Sequence, residues 1–286
     1  MSTVTSEQGS TQERERVLQE EAERRKHEEA EFHDRLRSLY EKDPAQYAYY
    51  TSNKKFYSVA NASTDFVRGW LSEQAKGKRV LEYGCGSGTY AVTIARFAAH
   101  VTGIDISPEA IKLSKERAAA EGVDDKTSFV VMDAEELTFP PASFDVVSVA
   151  GVLHHLDLRE ALIQIHRVLA PGGKAIFLEA LANNPLIQAY RRRTPHLRTA
   201  WETQHILRAE STNIMREYFG RVDVRYFHLA VLAAVPLRKS PIFRPVRGLL
   251  DGVDRVLMRL PGIRTQAWMG CFMVADPLPQ VPKPAA

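Results

Sequence analysis

Three glycines at alternate positions follow a short apolar run that ends in an acid: Val80-Leu81-Glu82-Tyr83-Gly84-Cys85-Gly86-Ser87-Gly88. Glycine reaches backbone angles that a Cβ forbids and leaves room for a ligand against the main chain. A bend of this kind after a strand places that ligand at the carboxyl end of an open α/β sheet. Asp105 closes the next apolar run about twenty residues on, the spacing at which a carboxylate meets ribose hydroxyls in nucleotide-binding βαβ units. Asp133 closes a third run. His154 and His155 follow a fourth, and imidazole suits proton removal near neutrality. Glu179, at the end of a fifth, is a second candidate base. Arg191, Arg192, Arg193, His196 and Arg198 form a basic cluster whose guanidinium forks suit a carboxylate or phosphate. A solvated surface loop reads the same way.

The glycine spacing separates this bend from the dinucleotide fingerprint, which reads G-x-G-x-x-G. Here it is G-x-G-x-G, preceded by Glu82. E-x-G-x-G-x-G after a strand resembles the first motif of class I S-adenosylmethionine (SAM)-dependent methyltransferases. The likeness continues through Asp105, Asp133-Ala134, Phe144-Asp145 into Val152-Leu153-His154-His155-Leu156, and Leu169-Ala170-Pro171-Gly172-Gly173. It covers residues 79–180 and is nearest to the broad type 11 group.

The resemblance implies SAM as methyl donor and no metal. It implies that Glu82, Tyr83, Gly84, Gly86 and Gly88 receive the methionine end, with Glu82 reaching the ammonium through water. Asp105, beside Ile106, takes the ribose diol. Asp133 and the Ala134 backbone take the adenine, and Ala150 lies beside the methionine part. In related phosphoethanolamine methyltransferases, the histidine at the place of His154 pairs with an N-terminal tyrosine. Tyr50 and Tyr57 are the candidates for that partner. A helix-capping and packing role for the His-His pair is the plainer alternative, and His155 is the weaker catalytic candidate. Asp145 is as readily structural as functional.

Several acceptor classes are disfavoured. Amino-methyltransferases of DNA carry Asn/Asp-Pro-Pro-aromatic after the fourth strand, where this chain has Ala150-Gly151-Val152-Leu153. Catechol-type metal enzymes need acids there, and no His/Cys cluster has metal spacing. The expected acceptor is a small, partly apolar, anionic molecule of natural-product, prenyl or lipid-like kind, and no nucleic acid. Two readings compete with a small-molecule methyltransferase. One is an NAD(P)-dependent oxidoreductase with a Rossmann-type site. The other is a non-catalytic SAM-binding or partner module.

The elements that must position these residues alternate between strand and helix, which implies a mostly parallel sheet with right-handed crossovers. Strands are expected at 80–83, 100–106, 127–132, 144–149, 174–180, 222–227 and 267–274. The resemblance implies a Rossmann-like α/β sheet of seven strands, the last antiparallel and slotted between the fifth and sixth, with helices on both faces. Pro171-Gly172-Gly173 is expected to end a helix. Residues 183–199 read as irregular and basic, and 204–219 as one helix.

Two domains are expected, a charged helical extension over 1–43 and the methyltransferase domain over 44–286. Opposite charges at i, i+3 and i+4 favour helix in the extension. It reads as a solvated helix, an arm that joins copies of the chain, or a helix reaching over the site. Aromatics crowd into 44–62, the expected lid. Segments 183–218 and 231–264 are assigned to the acceptor side. Within the second, Val246, Leu249, Leu250, Val253, Val256, Leu257 and Leu260 fall at helical spacing. That helix packs on the domain, walls a greasy pocket or touches a membrane surface.

The 286 residues are 44% hydrophobic and 26% charged, a globular composition. A net charge of +3 is too small to argue for nucleic acid. Two distant cysteines give no disulfide framework and fit a reducing compartment. The first ten residues lack the apolar core of a signal peptide. A cytoplasmic protein without a transmembrane segment is expected.

Overall fold

The computed structural model describes residues 4–279. The apolar runs become seven strands: β1 (Arg79–Tyr83), β2 (His100–Asp105), β3 (Thr127–Val131), β4 (Phe144–Ala150), β5 (Leu169–Ala180), β6 (Phe219–Phe227) and β7 (Met269–Pro277). They form one sheet in the order β3-β2-β1-β4-β5-β7-β6. The pairings of β1 with β2 and β4, β2 with β3, and β4 with β5 are parallel. Only β7 runs against its neighbours, pairing antiparallel with both β5 and β6. The strand order reverses between β1 and β4. Open α/β sheets bind ligands at that switch point, outside the carboxyl ends of the strands. The glycine bend follows β1 and the His-His pair follows β4, so both stand there.

Eleven α-helices are described. They are α1 (Val4–Lys42), α2 (Pro44–Tyr50), α3 (Asn61–Gln74), α4 (Thr89–Ala95), α5 (Pro108–Ala120), α6 (Leu158–Val168), α7 (Pro185–Arg193), α8 (Ala200–His205), α9 (Ser211–Met215), α10 (Phe243–Leu257) and α11 (Pro261–Arg264). Side chains alternate across a strand, so each face of the sheet needs its own cover. Val80, Val101, Val146 and Ile176 face one core with Leu71 of α3 and Ile94 of α4. Leu81, Ile104, Val147 and Phe177 face the other, with Leu162 and Ile165 of α6. Each such fully buried side chain contributes about 1.5–3 kcal/mol.

Three expectations are corrected. β5 begins at Leu169, so the Pro171-Gly172-Gly173 run does not end α6 but lies inside a strand. Phe144 pairs with Leu169 and pairing resumes at Val146 with Lys174, a register shift that leaves 170–173 without partners on β4. The segment 183–199 is not irregular. Asn184 caps α7, its side chain accepting from the N–H groups of Leu186 and Ile187, with Pro185 at the first turn. Finally, 204–219 is not one helix. It holds the end of α8, an extended crossing at Ile206 and the short α9.

Asp43 breaks the chain where expected. Its carboxylate accepts from Gln46 N–H at 3.0 Å, ending α1 and opening α2.

Candidate active site

Two cavities flank the segment that follows β4. The first, about 230 Å³, is lined by Gly84, Gly86, Asp105, Ile106, Asp133, Ala134 and Ala150 among others. Gly84 has φ 73°, and a Cβ there would stand 2.5 Å from Val152 Cγ2. Gly86 has φ 54°, and a Cβ there would meet nothing within 4 Å, so the main chain is bare toward the cavity. Asp105 ties the two strand ends together, accepting from Gly86 N–H at 2.9 Å and from Ser107 N–H at 3.0 Å. Asp133 accepts from Glu135 N–H at 2.8 Å.

Three other predicted residues support this cavity from behind. Tyr83 is fully buried and its hydroxyl donates to the Ala134 carbonyl, bracing the loop after β3. Gly88 opens α4 in the left-handed region at φ 73°. Glu82 is buried, with Oε2 lacking any hydrogen-bond partner. Burial pushes its carboxyl up to about 8, against the hydrogen bond from Ser148.

The mouth of this cavity is covered by α1, which supplies Arg25, Lys26, Glu29 and His33 to its lining. Lys26 Nζ stands 2.6 Å from Asp133 and 2.9 Å from Glu136. Burial pulls the Lys26 ammonium down, but its hydrogen bonds to these two acids outweigh that and raise it above the ordinary lysine range. Arg25 pairs with Glu135 at 2.5 Å, and its guanidinium lies 4.4 Å from the Trp201 ring centroid. Glu29 stands 2.9 Å from His155 and accepts from the Thr199 hydroxyl. Burial pushes the Glu29 carboxyl up, but His155 and Thr199 outweigh it and hold it below its usual value. Of the roles expected for the N-terminal helix, this places it over the site. Its individual contacts were not anticipated, because a helix rich in charge on every side gives no sign of which charges turn inward.

The second cavity, about 350 Å³, is lined by His154 and Tyr57, by apolar groups including Phe56, Ile187, Leu232 and Trp268, and by Arg191, Arg198 and Glu202. His154 Nδ1 lies 2.6 Å from Glu179 Oε2. Glu179 is fully buried, and its Oε1 accepts from the N–H groups of Val152 and Leu153, both at 2.8 Å. One carboxylate thus fixes both the loop and the ring it carries. The neighbouring His155 faces the first cavity, its ring centroid 4.2 Å from that of His154.

Of the two tyrosine candidates, Tyr57 reaches this cavity. Burial of its hydroxyl end and the charges of Glu179 and Glu202 push it above its ordinary value. Tyr50 is absent from the lining of both cavities and accepts from Arg35 at 3.2 Å.

The basic cluster divides. Arg191 is buried and donates to the Leu181 carbonyl at 2.8 Å; burial and the charge of Arg198 lower it to about 10. Arg198 stands 3.3 Å from Glu202. Burial pushes the Glu202 carboxyl up to about 7, against the charges of His155 and Arg198. Arg192 and Arg193 are exposed, and His196 stacks on Tyr49 at 4.4 Å, away from the cavity lining. Glu202, Tyr190 and Trp268 were missed, since nothing local marks a wall assembled from distant segments.

Folding also assembles two clusters that sequence spacing hid. Ligand atoms of Glu29, His33 and His155 lie within 4.8 Å of one another, as do those of His154, His155 and Glu202.

Residues 81–177 match the family described as "Methyltransferase domain". A stretch of 113 residues is 43% identical to the 27-O-demethylrifamycin SV methyltransferase of Amycolatopsis mediterranei, covering 39% of this chain and 41% of that one. Another of 121 residues is 33% identical to the ubiquinone biosynthesis O-methyltransferase of Bordetella parapertussis, covering 41% of this chain and 49% of that one. The chain therefore spans less than half the length of these relatives. In fold it is similar to the phosphoethanolamine N-methyltransferase 2 of Haemonchus contortus, solved with SAM. That likeness has a TM-score of 0.56 at 19% identity, over 85% of this chain and 60% of that one.

Proposed function

From the match of residues 81–177 to a methyltransferase domain, we propose that this chain is a class I SAM-dependent methyltransferase that methylates a hydroxyl oxygen of a small, partly apolar acceptor. Bound SAM supplies an electrophilic methyl group on a sulfonium. The first cavity suits it. The buried, unpartnered Oε2 of Glu82 lies behind the bend and suits an ammonium reached through water. The bare main chain at Gly86 suits a close approach, and Asp105 keeps lone pairs for a diol.

The observation that carries the reading is the pair His154 and Glu179, 2.6 Å apart at the edge of the second cavity. Oε1 of Glu179 already accepts two backbone N–H groups, so Oε2 receives the Nδ1 proton of His154. That tautomer leaves Nε2 as the acceptor, on a ring that lines the second cavity. There it removes the proton of a hydroxyl, and Glu179 stabilises the imidazolium that forms. Tyr57 shares the cavity and orients the same hydroxyl. Phe56, Tyr190 and Trp268 hold an apolar ring or chain, while Arg191 and Arg198 meet a polar or anionic substituent at the inner end. The two relatives' names, both of O-methyltransferases, support oxygen as the acceptor atom.

The test is incubation of the purified protein with labelled SAM and hydroxylated aromatic and prenyl compounds, with mass spectrometry for one added methylene. His154→Ala is expected to keep SAM binding by calorimetry and lose turnover by about 100-fold or more. Full turnover in that variant removes His154 as base. No heat with SAM in the wild type overturns the donor assignment itself.

A further inference from the structure

Between β6 and β7 the chain carries more apolar surface than the protein beneath it covers. Phe243, Val246 and Leu250 of α10 pack on a small core of Val59, Val231, Ala234 and Val235. Asp254 fixes the roll of the helix: it is buried, and its carboxylate accepts from the N–H groups of Leu229, Ala230 and Val231 at 2.7–3.2 Å. Beside this inner face, Ile242, Leu249, Val253, Val256, Leu260 and Ile263 stay exposed, Leu249 at 70% and Val256 at 58%. Steps of seven, four and three residues put Ile242, Leu249, Val253 and Val256 in one stripe along α10, and Leu260 and Ile263 add exposed apolar groups at the turn into α11 and on it. Single exposed apolar residues are ordinary; a contiguous stripe marks an interaction surface.

Charge identifies the partner. Residues 238–264 hold seven basic side chains, Arg244, Arg255, Arg259 and Arg264 among them, against Asp251 and the buried Asp254. A second copy presenting the same face would set two strongly cationic surfaces together. An anionic lipid surface offers both a phosphate layer for the arginines and an acyl boundary for the stripe.

We propose that α10 and α11 lie in the plane of an anionic lipid surface, with the Leu249–Val253–Val256 stripe inserted below the headgroups. The position is apt for a membrane-held substrate. Leu232 packs against the core under α10 and also lines the second cavity. Leu186, 80% exposed, lines that cavity as well. Docking goes beyond the reading of the acceptor, and the two fail in separate experiments.

Flotation of the full chain with vesicles of phosphatidylcholine, alone or mixed with phosphatidylglycerol, tests the proposal. Binding is expected on the mixed vesicles at low salt, and substantially less on phosphatidylcholine alone. Arg255→Gln with Arg259→Gln should weaken it on the order of 25-fold, about fivefold for each charge. Leu249→Ser, Val253→Ser and Val256→Ser together should abolish it while SAM binding and helical content stay unchanged, since these side chains face solvent. No binding to mixed vesicles, or binding that survives the triple substitution, overturns the proposal. A wild-type dimer in solution that the triple substitution dissolves overturns it in favour of a second copy.

Discussion

His154 and Glu179 are joined by a bond between groups 25 residues apart in sequence. Both were visible as chemistry-bearing residues at strand ends, but their relation was not. Glu179 reads as an independent base until the pairing of β4 with β5 brings the two termini side by side, Ala150 opposite Leu178. In the proposed reaction Glu179 is then the positioning group. Glu179→Gln is expected to lower turnover by about 100-fold with SAM affinity retained, and to shift the pH profile because imidazolium loses its counter-charge. An unchanged pH profile would reduce Glu179 to a structural brace.

Glu82 makes a second prediction at this scale. Its folded-state value of about 8 lies above the ordinary 4.5 because burial disfavours the anion. The native protein thus holds this proton more tightly than the unfolded chain does. The stability it contributes is fully present below about pH 4.5 and is lost as pH rises through about 8. The difference amounts to a few kcal/mol at most, at about 1.4 kcal/mol per unit. Thermal melts of the cofactor-free protein should decline over this range, and Glu82→Gln should flatten the decline. Equal pH dependence in the two proteins would show that Glu82 does not titrate there.

At the scale of elements, the strands and the glycine bend were legible because the sheet is covered on both faces. Its inner strands β1, β4 and β5 read as near-continuous apolar runs closed by candidate site residues. The helix α7 was also legible in principle, since Asn184-Pro185 is a start signal; the basic residues after it drew the reading toward a loop. What no pattern could give was the inward face of α1. Lys26, Arg25 and Glu29 are ordinary members of a charged helix until Asp133, Glu135 and His155 meet them. Removing these contacts should loosen the cover. Arg25→Ala with Lys26→Ala is expected to weaken SAM binding about 30-fold, the two ion pairs each contributing on the order of 1 kcal/mol, chiefly through faster release in stopped-flow. Unaltered release would mean that α1 does not retain the donor.

For the molecule as a whole, the seven strands and the antiparallel place of the last one between the fifth and sixth followed from the family resemblance. The second cavity did not, because its wall is gathered from Phe56, Tyr190 and Trp268, which only the finished fold brings together. Phe56 lies 5.2 Å from Tyr190 and 6.0 Å from Trp268, ring centre to ring centre. Trp268→Leu keeps the adjoining core apolar while removing this aromatic wall. It should raise the acceptor KM roughly tenfold, for about 1.4 kcal/mol of lost contact, and leave SAM binding alone. An unchanged KM would move the acceptor elsewhere.

The helix that reaches Asp133 at one point reaches Thr199 and Trp201 of the acceptor-side segment at another. One helix therefore touches both the lining of the first cavity and the segment that brings Arg198 and Glu202 to the second. Under the proposed methyl transfer, spent donor leaves the first cavity when that helix swings away, so the swing is expected to be the slowest event of each cycle, and the observed rate should fall as the solvent is made more viscous.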